Sequence, residues 1–149
     1  MDESAFRHAK GEVNRLPCVF KRALLAHQAV CEFAVQQTVS GREGIACAQP
    51  VARASCGELH GLLQEKSVFA LRRGNTKLTS PASQVLQLQC GGLNGLRDVI
   101  DPGAPAPNIH VLVRSAQERY AELAQLPFSE IVKAVAAWKP ARPSGKPNR

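Results

Sequence analysis

Residues 18–39 run without Gly or Pro. At one hundred degrees per residue Phe20, Leu24, His27, Cys31 and Val35 fall on one face, with Gln28, Glu32 and Gln36 turned away. This pattern predicts a helix, opened by Pro17 at a favourable first position and stopped by Ser40-Gly41. Residues 41–55, with Gly41, Gly44 and Pro50, read as a loop carrying Cys47. A second helix is expected from Ser55 or Cys56, where Ser55 and Glu58 have the spacing of a capping box. Leu59, Leu62, Leu63 and Lys66 then recur at helical spacing, and the Lys66 stem can lie along the apolar stripe.

The middle of the chain supports two readings. Residues 67–73 either continue that helix or form a strand that turns at Gly74-Asn75 and returns through residues 76–79. Ser80-Pro81 marks a boundary. Residues 85–90 partly alternate and fit a short strand, Cys90-Gly91-Gly92 a tight turn, and residues 93–100 an amphipathic helix. The segment 101–107 has the composition of a stiff linker. Asn108 is placed to cap a helix over 109–125, and a last helix is expected from Ser129 to near Trp138. The expected fold is therefore mostly α: a small helical domain over 16–138, with a short β-hairpin around residues 67–90 as the mixed variant. A flexible arm (1–15) and a disordered basic tail (139–149) flank it.

Composition narrows this further. A chain of 149 residues with 44% hydrophobic residues supports one compact domain, and with only 5% aromatics its core must be built from aliphatic side chains. The formal charge of +7 permits contact with nucleic acid, an anionic membrane surface or an acidic protein. No acid follows Glu130, whereas Lys133, Lys139, Arg142, Lys146 and Arg149 do, so much of the excess belongs to the tail. The N-terminus has no secretory pattern, and no apolar run is long enough to cross a bilayer. The expected location is the cytoplasm, where thiols stay reduced.

Five cysteines in that setting read as metal ligands, redox groups or buried apolar residues before disulfides, and metal chemistry comes first because thiolates bind Fe, Zn and Cu(I) strongly. The candidate ligands are Cys31 on the first helix, Cys47 in the Gly-bounded loop, Cys56 at a helix N-terminus and Cys90 before Gly91-Gly92. Gly91 and Gly92 would let backbone N–H groups approach cluster sulfurs. Cys18 projects away from Cys31 on the expected helix and is left out of the set. The spacing contains no Cys-x2-Cys pair. The expected group is an iron–sulfur cluster, [4Fe–4S] in kind, with zinc as the alternative through His27/Cys31 and Cys56/His60, each four residues apart.

The function expected is electron transfer, redox sensing or cluster handling with a protein redox partner. The alternative is a zinc-stabilised or metal-free adaptor that binds protein or nucleic acid. A cysteine nucleophile has no flanking signature, and the chain lacks a P-loop, a dinucleotide fingerprint and a His-Glu-x-x-His helix, so an enzyme is the weaker expectation. Arg72-Arg73 and Lys77 are basic, but aromatics for base stacking are scarce.

Overall fold

The computed structural model describes residues 16–39, 41–74 and 81–140. The expected arm (1–15), the turn and return at 75–80 and residues 141–149 of the basic tail lie outside the described residues. The chain order is α1 (Lys21–Leu25), β1 (Ala34–Val39), β2 (Arg42–Cys47), α2 (Pro50–Gly74), α3 (Pro81–Ile100), α4 (Ile109–Tyr120), a short 3-10 turn (Leu123–Gln125) and α5 (Phe128–Ala137). The mostly helical class is as expected. The hairpin, however, lies at 34–47 rather than around 67–90.

The first expected helix is the largest correction. It ends at Leu25 because the chain closes a Schellman turn: the Gln28 N–H donates to the Ala23 carbonyl at 2.9 Å, and the His27 N–H to that of Leu24 at 3.0 Å. His27 takes the left-handed position at φ 59°. Histidine tolerates that region better than most non-glycine residues. Beyond the turn, Val35 and Thr38 supply β-branched side chains to β1, which pairs antiparallel with β2 from Ala34↔Cys47 to Val39↔Arg42. Two residues connect the strands, and Gly41 supplies the positive φ (+80°) that such a tight hairpin demands. The expected loop over 41–55 is thus replaced by β2 and the first turns of α2.

Helix α2 begins at Pro50, so Ser55 lies inside it and caps nothing. Residues 67–74 continue this helix. Helix α3 runs unbroken through Cys90-Gly91-Gly92, where a strand and tight turn were expected. Close packing explains the glycines. A Cβ on Gly91 would lie 2.6 Å from Val135 Cα, and one on Gly95 would lie 3.0 Å from Ile131 Cα, both in α5. One on Gly92 would meet the Leu63 side chain of α2 at 2.7 Å. These small residues let α5 and α2 approach the α3 backbone.

The core joins Leu59 and Leu63 of α2, Leu88, Leu93 and Leu96 of α3, Leu112 and Val113 of α4, and Ile131 and Val135 of α5. Lys66 lies over the Phe128 ring with Nζ 5.8 Å from its centroid. Asn108 caps α4 as expected, its side chain accepting from the Val111 N–H at 3.4 Å. That helix stops at Tyr120 and not at 125. Segment 101–107 is tied back to the fold: the Val30 N–H donates to the Pro107 carbonyl and the Ile109 N–H to that of Val30. No described helix is long and apolar enough to cross a membrane.

Candidate metal centre

The hairpin and its neighbours bring four cysteines into one region. Segment 16–18 lies along the free edge of β2 through an antiparallel bridge between Pro17 and Ala46. Within it the Cys18 N–H donates to the Ile45 carbonyl at 2.8 Å and the Cys47 N–H to that of Leu16 at 3.2 Å. Cys18 and Cys47 therefore sit on adjacent backbone segments. Cys31 precedes β1, whose first residue, Ala34, pairs with Cys47. The Cys31 carbonyl accepts from the Ala34 N–H at 3.2 Å, closing the turn into the strand. Cys56 faces the same corner from the second turn of α2, and Arg53 of that helix donates to the Pro17 carbonyl at 2.8 Å.

Two of these thiols are shifted by their surroundings. Burial pushes the Cys56 thiol up to about 12, and Cys18, Cys31 and Cys47 each add to the rise. Burial likewise pushes Cys18 up to about 11. There a hydrogen bond to the Phe20 backbone and the charge of Arg53 pull the other way, while Cys31 and Cys47 add to the rise. Cys56 is only 9% exposed, whereas Cys18, Cys31 and Cys47 are half-buried. The group thus has one buried floor and three members nearer solvent. Cys47 also donates its thiol to the Gln49 carbonyl at 3.3 Å. Cys56 lies six residues past the start of α2 and not at a helix N-terminus as expected, so the terminal charge acts at Pro50 and not beside it.

Cys90 stands elsewhere. It is 1% exposed on the buried face of α3, and burial alone pushes its thiol up to about 11. Gly91 and Gly92 are covered by α5 and α2 and offer no turn for a ligand. The expected set of Cys31, Cys47, Cys56 and Cys90 is thus split: the first three share a region with Cys18, and the fourth is a core residue.

Among the described residues no group of three or more His, Cys, Asp or Glu side chains is arranged to hold a metal ion. A single zinc ion, bonded to sulfur at about 2.3 Å, requires four ligands drawn tightly around one point. The histidine pairs do not supply it. His27 is exposed in the turn after α1 and shares no helix face with Cys31. His60 packs edge-on against Phe20 at 5.3 Å and meets Gln89 at 3.3 Å, and burial lowers its pKa. His110 stacks edge-on against Phe33 at 4.5 Å. Comparison of the chain with family models, with curated proteins and with solved structures finds no match in any of the three.

Cys18 is absent from the expected set, and the structure places it beside Cys47. Its exclusion rests on a continuous helix from Cys18 to Cys31, and once the chain turns at His27 the angle between them on a helical wheel has no meaning. The available signal is strand-like: β-branched Val35, Thr38 and Val39, then Gly41, then Ile45.

Proposed function

We propose that this protein binds an iron–sulfur cluster, [4Fe–4S] in kind, through Cys18, Cys31, Cys47 and Cys56, and works in electron transfer, redox sensing or cluster handling. The observation that carries the reading is the backbone pairing that brings segment 16–18, the hairpin and the start of α2, and with them these four cysteines, into one region. A four-iron cluster takes one thiolate at each of four irons, so its ligands stand farther apart than those of a single ion. Four neighbouring thiols that do not close on one point suit that requirement better than they suit zinc. The ligand spacing becomes Cys18-x12-Cys31-x15-Cys47-x8-Cys56. Burial of Cys56 anchors one corner, and the half-buried positions of the other three leave the opposite side near the surface, where a protein partner could exchange electrons.

Anaerobic purification of the full chain, with its visible spectrum and its iron, sulfide and zinc content, tests this reading. A brown protein with about four irons per chain supports it. Cys18→Ser, Cys31→Ser, Cys47→Ser and Cys56→Ser should each bleach the colour, and Cys90→Ser should leave it. Colourless protein carrying one zinc would point to a zinc-stabilised adaptor. A protein with neither metal would point to a metal-free adaptor for protein or nucleic acid.

A further inference from the structure

A cavity of about 450 Å³ opens between the start of α2, the turn before β1 and α4. Its size falls within the range of small-molecule sites, roughly 300–1,000 Å³. The apolar part of the lining comes from Phe33, Val51 and Val113. The Phe33 ring is fixed by its edge-on contact with His110. The polar part comes from Ser55, Arg114 and Gln117. Gln117 Nε2 donates to the Ser55 hydroxyl at 3.1 Å, which leaves the hydroxyl proton free to donate to another acceptor. Arg114 faces Glu118 at 3.6 Å, with both side chains largely in water. Such a pair is weak, and its guanidinium can exchange that carboxylate for a ligand anion.

From these features we infer that the cavity binds a small organic anion, a carboxylate or sulfonate carried on a flat apolar body. The body lies between Phe33, Val51 and Val113. The anionic group meets Arg114, whose planar fork matches two acceptor oxygens. A cation is disfavoured, because the only charged side chain lining the cavity is that arginine. Cys56 forms part of the wall. Binding here does not require a metal, so the inference stands or falls apart from the proposed cluster.

The probe is 8-anilinonaphthalene-1-sulfonate, titrated into the full chain and followed by fluorescence. One molecule per chain should bind, and benzoate should displace it where benzylamine does not. Arg114→Glu should weaken binding by about tenfold or more, the scale of one lost charge-assisted contact. Ala52→Phe, which fills the cavity from α2, should abolish it. Phe69→Ser, at an exposed apolar residue further along the same helix, should change nothing. Equal affinity in the parent and in Arg114→Glu, or loss only in Phe69→Ser, overturns the inference. If far-UV circular dichroism shows that Ala52→Phe fails to fold, Arg114→Glu decides alone.

Discussion

Gln89 ties α3 to the segment just beyond Cys18. It is 3% exposed on α3, and its amide reaches across to the segment just beyond Cys18. Oε1 accepts from the Ala23 N–H at 3.2 Å, Nε2 donates to the Val19 carbonyl at 3.0 Å, and the same nitrogen meets His60 Nε2 at 3.3 Å. Both ends of the amide are thus occupied, and Phe20, wholly buried, is held between the two backbone contacts. Gln89→Leu would leave a buried donor and a buried acceptor without partners, at roughly 1–3 kcal/mol for each. Urea denaturation should show at least about 2 kcal/mol lost, and if a cluster is present the variant should release iron faster than the parent because the segment after Cys18 loses its tie to α3. Unchanged stability would mean that water replaces the amide and that the contact positions nothing. None of this is legible in the sequence, since a glutamine inside a Leu-Gln-Leu-Gln run reads as the polar side of a strand. The candidate site is legible in part: Cys31, Cys47 and Cys56 follow from residue type alone. Cys18 and Cys90 are placed otherwise than expected, because the reading of each depends on a helix that ends early and a turn that does not exist.

Helices α2 and α3 each carry glycines whose meaning differs with the face they occupy. Gly91 stands where the α5 backbone crosses, and a methyl there must push Val135 away. Gly61 sits on the solvent side of α2, and a methyl added to it would meet nothing within 4 Å. Gly91→Ala should therefore cost about 1–3 kcal/mol or more through overpacking. Gly61→Ala should gain about 0.5–1 kcal/mol, because alanine restricts the unfolded chain and favours the helix. Thermal melts of the two variants should move in opposite directions, and a stabilising Gly91→Ala would refute the close crossing. Asn108→Ala, which removes the α4 cap, should cost about 1 kcal/mol by the same measurement. The elements legible in advance are those set by local chemistry: the Asn108 cap and the final helix. The elements missed are set by contacts distant in sequence. The glycines of α3 look like turn residues until α5 is known to cross them. Strand β1 looks like part of a helix because Val35 happens to share a helical period with Phe20, Leu24 and Cys31.

For the molecule as a whole, stability should form a plateau in pH bounded by two kinds of buried group. His60 is buried and held below its ordinary value of about 6.5, and its Nε2 faces a glutamine nitrogen whose other hydrogen is used by Val19. The neutral ring accepts there, and a protonated one would present a second donor. Below about pH 6.5 the unfolded chain therefore gains a proton that the folded chain refuses, and stability falls as the pH drops. Cys90 sets the other limit. Its thiol is pushed from 9.0 up to about 11, so above pH 9.0 the unfolded chain loses a proton that the folded chain keeps. Stability is then complete below 9.0 and is lost as the pH rises through about 11. Urea denaturation across this span should show a flat top between these limits, with His60→Leu flattening the acid side and Cys90→Ala the alkaline side. Cys18 and Cys56 are shifted in the same direction as Cys90 and steepen the alkaline loss while they carry protons. A bound cluster would hold both as thiolates and remove their share, because metal ligation displaces those protons. The alkaline side should accordingly be steeper in metal-free than in cluster-loaded protein, with Cys90 contributing equally to both. Identical alkaline slopes in the two preparations would mean that Cys18 and Cys56 do not bind the metal.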